Sequence, residues 1–287
     1  MSSTALVILN EIAKALSVLK ADAVRQKQHE KAINRNIPAV KKAINDYVDY
    51  MQENLYITRL RGKNTYEMAN NLADWDAMIE YGKNLLSAKL ADIFAEGSEI
   101  VMRKGRVQKG RLDPLGMAAA DWATKAAGDL IADITNDTKD GIRKILTDSL
   151  KQGLSIQQIA RKIRPSVGLN KVQQQALKNL EKRLIDRGFS PSKVETMLER
   201  YAKKAKRYRA EMIARTESAR ALTKGQVAGY KQMGVKNLKR VEAPDACPEC
   251  APYNGKIYKV SEASDVLPAH PHCRGTWVAS IKTKRGD

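Results

Sequence analysis

The chain has 287 residues, enough for a sizeable core and for one to three domains. Aromatic residues make up only 5% and charged residues 29%, and with Ala, Leu, Ile, Lys and Glu prominent this mix favours helices over sheets. No run of about 18 or more apolar residues exists, which excludes a membrane-spanning helix. The start, MSSTALVILNEIAKAL, lacks a basic n-region and a small-residue cleavage site; it reads as a helix, and the chain as one kept in a reducing compartment.

The net charge of +19 is unevenly placed. Residues 1–140 carry 20 Lys and Arg against 19 Asp and Glu, whereas residues 141–287 carry 31 against 13. A charge so one-sided is the footprint of a polyanion, and double-stranded DNA touched through its phosphates is the expected partner. The rival is a basic surface that serves only solubility.

In chain order, Leu9, Ile12, Leu16, Leu19 and Ala23 step by 3 and 4 along one helix face, a stripe expected to pack as core. Pro38 suits the first turn of a second helix, in which Val40, Ile44, Tyr47, Met51 and Leu55 repeat the stepping. Residues 97–116 break the pattern: Gly97, Gly105, Gly110, Pro114 and Gly116 punctuate a stretch with Arg103, Lys104, Arg106, Lys109 and Arg111, which reads as a basic linker.

Helices resume at 117. Leu130, Ile134, Ile142, Ile145 and Leu150 share a helix ended by Gly153. Ser155 with Gln158 and Asn170 with Gln173 are capping-box pairs opening two further helices, the first expected to stop before Pro165 and the second at Gly188. Ser190 and Pro191 open what reads as the longest helix, with a seam of Val194, Leu198, Tyr201, Ala205, Tyr208 and Met212. Lys203, Lys204, Lys206, Arg207 and Arg209 cluster beside that seam and are the candidate phosphate contacts. After Gly234, Leu238–Val241 and Lys256–Val260 read as short strands, with Asn254–Gly255 as a turn signal. So small a β piece needs a staple.

The staple is legible. All three cysteines and two of the three histidines fall between 247 and 273, in the pattern Cys247-x2-Cys250-x19-His270-x2-Cys273. Two close pairs on two arms are the spacing of a structural zinc site, because x2 lets each pair curl onto one point. His270 and His272 compete for the fourth position. Spacing favours His270, since His272 adjoins Cys273 and neighbouring side chains point different ways. A disulfide is the rival reading, but three cysteines leave one unpaired. Four ligands close the shell, so an activated water has no place and a structural ion is expected.

Several of these residues come in a familiar order. Ile213-Ala214-Arg215-Thr216-Glu217, Tyr230 with Gly234-Val235, Cys247-x-x-Cys250, Asn254-Gly255-Lys256 and His270-Pro271-x-Cys273-Arg274 resemble the phage head-morphogenesis proteins, the minor head proteins similar to the F protein of phage Mu. The resemblance is specific over about 205–280, looser over 117–204, and does not reach the first hundred residues. It implies a low-copy minor capsid protein inside the head near the portal, with portal, capsid or scaffold partners and contact to packaged DNA. It also implies location in the virion, and in the host cytoplasm during assembly. The family often continues Cys-Arg-Cys where this chain has Cys273-Arg274-Gly275; if that last cysteine is a usual ligand, His270 or His272 must replace it. That favours His270 again, since the residue before the cysteine usually varies in such motifs.

Arg215, Thr216 and Glu217 lie in the strongest motif and are expected to be structural: Glu211 and Arg215 as an i,i+4 pair, Glu217 tethering the C-terminal module. A catalytic Arg–Glu pair of ADP-ribosyltransferase kind is the alternative, but no nucleotide-cradling glycine pattern accompanies it.

The expectation is therefore a mainly α protein: elongated helical N-terminal and middle regions (1–96 and 117–234), a linker (97–116), and a zinc-stapled α+β module (235–287). It is read as non-enzymatic. The rivals are a cellular zinc-ribbon nucleic-acid-binding protein and a zinc-dependent nuclease or transferase effector.

Overall fold

The computed structural model describes residues 3–102 and 114–280, with side chains for residues 10, 12, 13, 16–102 and 116–280. It is mainly helical, at 75% helix, with a small antiparallel sheet near the C-terminal end. The described residues form α1 (Ser3–Glu53), α2 (Thr65–Asn71), α3 (Trp75–Met102), α4 (Pro114–Lys151), α5 (Ile156–Ser166), α6 (Lys171–Asp186) and α7 (Pro191–Gln232). Then follow β1 (Asn237–Val241), β2 (Ile257–Lys259) and β3 (Thr276–Ala279).

Local signals set many of these boundaries. Both capping boxes form: Gln158 N donates to Ser155 Oγ at 3.3 Å, and Gln173 N to Asn170 Oδ1 at 2.9 Å. Gly188 closes α6 with φ 76°, a left-handed turn that only glycine adopts cheaply.

Elsewhere tertiary packing overrides the punctuation. Pro38 does not start a helix; it lies inside α1, whose 51 residues make it longer than α7 with 42. An interior proline costs about 3 kcal/mol, but Pro38 faces solvent while Ile33, Ile37, Val40 and Ile44 are buried on either side. At roughly 1.5–3 kcal/mol per buried side chain, that stripe outweighs the break. Likewise α5 runs through Pro165 to Ser166. Gly97 does not open a loop: it is helical within α3, and Pro114 to Gly116 are already in α4. The basic run from Arg103 to Arg111 lies outside the described residues.

The chain divides into two compact units, each built from separated stretches. One holds residues 1–38, 90–120 and 215–287. Its α3 and α7 segments approach through glycines: a Cβ on Gly225 would meet Phe94 O at 1.9 Å, and one on Gly97 would meet Leu222 O at 2.1 Å. The sheet has the order β2-β1-β3, with Leu238 opposite Tyr258 on one side and Ala279 on the other. β3 escapes sequence reading, because four residues are too short to show a period. Its Trp277 is fully buried with Val101, Val227, Tyr230 and Leu238, and Tyr258 meets the indole edge-on at 5.3 Å. The module thus has a core, shared with α7.

The other unit holds residues 39–89 and 121–214. Tyr47 is its buried centre, and Gly82 leaves room for that ring: a Cβ there would lie 2.7 Å from it. On α7, Ala202 is buried with Leu169 and Leu177, and Leu198, Tyr201 and Ala205 pack against them. Tyr208, expected in that seam, is exposed instead, since buried Ala210 and Ala214 take over the inward face.

Candidate metal centre

β1 delivers the chain into the first ligand arm. Cys250 N donates to Cys247 O at 3.0 Å and Ala251 N to the same carbonyl at 2.9 Å, a tight turn that carries Cys250 back beside Cys247. On the second arm Cys273 N donates to His270 O at 3.1 Å, so the second x2 pair folds through the same bond. The two turns converge. His270 Nε2 lies 3.1 Å from both Cys247 Sγ and Cys250 Sγ, and Cys250 Sγ lies 3.9 Å from Cys273 Sγ.

A tetrahedron with metal–sulfur bonds near 2.3 Å and metal–nitrogen bonds near 2.05 Å has edges of about 3.8 Å between sulfurs and about 3.6 Å from sulfur to nitrogen. The Cys250–Cys273 edge matches, and the imidazole sits a few tenths of an ångström inside its edges to Cys247 and Cys250. His270 Nδ1 is 2.7 Å from Pro271 O, so its proton is held there and the Nε2 lone pair faces the thiols. Cys247, Cys250 and His270 therefore form a close ligand group that fits a thiolate-binding cation, with Cys273 beside Cys250. His272 is exposed, with φ 66°, and no close ligand group among the described residues includes it.

Electrostatics also ask for a positive charge here. Burial, and then the neighbouring Cys273, push the Cys250 thiol up to about 12. The backbone N–H of Cys250 draws the Cys247 thiol below its usual range. A bound dication would stabilise all three thiolates together.

Two further residues belong to the site and were not foreseen. Arg240 and Glu242 form a fully buried ion pair, and Arg240 Nη2 also donates to Cys250 Sγ at 3.3 Å. Glu242 joins Cys250 and Cys273 in a second close ligand group. The signal was present: Leu238, Arg240 and Glu242 alternate, so all three share one face of the strand and its continuation. Gly275 explains the departure from Cys-Arg-Cys. A Cβ at Gly275 would lie 2.7 Å from Glu242 Oε1, so the carboxylate fills the space a side chain would need.

The module is tied to α7 and to α1. Lys224 Nζ bonds Asp265 Oδ1 and Ser264 Oγ, Thr276 Oγ1 donates to Gln226 Oε1 at 3.1 Å, and Tyr230 OH donates to Trp277 O at 3.3 Å. Lys239 pairs with Asp22, and Arg274 with Glu30.

Around the strongest motif, Arg215 Nη1 donates to Asn34 Oδ1 at 3.2 Å, while Glu211 pairs with Lys41. Glu217 is buried, and its carboxylate accepts from Arg220 Nη1 at 2.9 and 3.1 Å. Burial raises its pKa and Arg220 opposes the shift. The expected tether to the module is thus made about two to four turns later, from Lys224 to Tyr230. Thr216 also has interaction partners.

The basic cluster divides. Lys203, Lys204 and Arg207 are exposed. Burial lowers Lys206 to about 8, with Asp49 opposing the shift. Arg209 Nη2 pairs with Asp137 at 2.8 Å and Nη1 donates to Gly168 O at 3.0 Å, so it pins the 168 turn. Lys203, Lys206 and Arg207 also line a groove of about 910 Å³ with Arg164 and with Asp49, Glu53 and Glu199.

No curated protein and no solved structure matches the chain. A family model described as phage Mu protein F like matches residues 140–278, a span that includes α5, α6, α7 and the whole ligand cluster. Over residues 140–278 the chain is therefore similar to the phage Mu protein F like family, in line with the resemblance of its motifs to head-morphogenesis proteins.

Proposed function

We propose that this protein is a non-enzymatic minor head protein, built into the virion near the portal during assembly in the host cytoplasm, with one structural zinc ion holding its C-terminal module. One observation carries the reading: inside the family-matched span, two turns of the same kind bring Cys247, Cys250 and His270 into one close ligand group, with Cys273 Sγ 3.9 Å from Cys250 Sγ. Zinc suits this donor set because thiolate and imidazole ligands in a closed tetrahedron leave no position for substrate. Among the described residues, no helix is long and apolar enough to cross a membrane. The test is fractionation of intact particles. The protein should remain with DNA-filled heads and contain one zinc per chain; its absence from particles, or turnover of DNA or NAD by purified protein, refutes the reading.

Contact with packaged DNA is part of the proposal, through phosphates and without sequence preference. Lys203, Lys204 and Arg207 are its exposed carriers. Binding should fall on the order of a hundredfold between about 50 and 200 mM salt, and replacing these three by Gln should flatten that slope. A second reading has one observation in its favour. The groove mixes Lys203, Lys206 and Arg207 with Asp49, Glu53 and Glu199, which suits a protein surface of both signs better than a polyanion. Unchanged DNA affinity in the triple variant, with loss of binding to portal protein, decides for that reading.

A further inference from the structure

Positions 9, 12, 16, 19, 23, 26, 30, 33, 37, 40, 44, 47 and 51 of α1 alternate by 3 and 4 without a break. From Gln26 onward this seam is covered by the protein itself: Gln26, Ile33, Ile37, Val40, Ile44, Tyr47 and Met51 are buried. The cover begins where Lys239 takes Asp22 and Gln26 Nε2 donates to Arg274 O. N-terminal to it the same seam continues bare. Ile12, Leu16 and Leu19 are 50%, 51% and 62% exposed, and Val18 beside them is 50% exposed.

We propose that this bare stretch is a self-association seam, through which copies of the protein join as a coiled coil. Scattered exposed apolar residues are ordinary, but here they fall in one heptad register on a continuous helix. Because the helix is already propagated from its buried half, pairing does not have to nucleate it.

Charge selects the partner. Residues 10–20, N-terminal to the docked Asp22, carry Glu11 against Lys14 and Lys20, a nearly neutral strip in a chain of net +19. An acidic protein surface or an anionic membrane would select a basic strip, which this is not. Identical, nearly neutral strips can approach with little repulsion, and the flanking Ala13 is small enough to let the helices close. With Leu9 and Leu16 at a positions and Ile12 and Leu19 at d, the pattern leans to more than two strands.

The test is sedimentation of the full chain at about 1 to 100 µM, where mass action drives association. The wild type should reach the mass of an oligomer. Leu16→Glu with Leu19→Glu should stay monomeric to concentrations at least about tenfold higher, with unchanged circular dichroism. Leu16→Ala with Leu19→Ala, which keeps helix propensity, should weaken association in the same direction and covers the case in which the charged variant fails to fold. A monomeric wild type throughout, equal association of wild type and both variants, or a seam that engages only a different head protein or a lipid vesicle overturns the proposal.

Discussion

Acid should destabilise this protein through His29, independently of the metal centre. His29 on α1 is fully buried, and neither ring nitrogen has a hydrogen-bond partner among the described residues. Burial alone lowers its pKa from 6.5 to about 4. The unfolded chain binds a proton at this residue below about pH 6.5, whereas the folded chain resists it until about pH 4. Between those limits the unfolded state holds more protons, so stability falls as pH is lowered through the window. At about 1.4 kcal/mol per unit the full difference is about 3 kcal/mol, of which about 2 kcal/mol is lost by pH 5. Thermal melts at pH 7 and pH 5, for wild type and His29→Leu, measure it. Protonation of the metal ligands affects both proteins and cancels in the comparison. His29→Leu should lose clearly less stability on acidification, and at pH 7 it should be at least as stable, since two unpaired nitrogens are removed. Equal pH dependence in the two proteins would refute the reasoning.

Cys250→Ser should take bound zinc from one per chain to near zero by elemental analysis, and should expose 235–280 to limited proteolysis while the helices survive. Gly225→Ala places a Cβ against a backbone oxygen that cannot yield, and should cost about 1–3 kcal/mol or more in denaturant melts. Arg209→Ala strands Asp137 and should cost about 1–3 kcal/mol, whereas Lys204→Ala, on the exposed side, should stay within about 0.5 kcal/mol.

Features governed by neighbours in sequence were the readable ones. Ser155, Asn170 and Gly188 mark helix ends because a cap or a left-handed residue acts within three or four positions. Cys247, Cys250, His270 and Cys273 could be grouped because each pair is closed by its own local turn. Pro38 misled because its cost is local while the compensating burial comes from distant segments. Gly97 read as a loop residue, yet its role is a close approach to Leu222, which no local window contains. Arg209 looked like part of a phosphate-binding face, although its partner Asp137 lies 72 positions earlier. Arg240 and Glu242 are hard to read in sequence because charged residues in a short strand suggest a wet face, and only the buried thiols reverse that inference.

The unit that carries the ligand cluster joins residues 1–38 to residues 215–287, through bonds such as Lys239 to Asp22, 217 positions apart, and Gln26 to the Arg274 carbonyl, 248 apart. During synthesis, then, the early part of α1 must wait for nearly all the rest of the chain before its docking partners emerge. A ribosome that stops anywhere before Cys273 leaves the ligand set incomplete and Gln26 without its Arg274 partner. Only a chain translated past Arg274 can close both, so proteases in the host meet unfinished copies open from Asp22 onward and finished ones closed there.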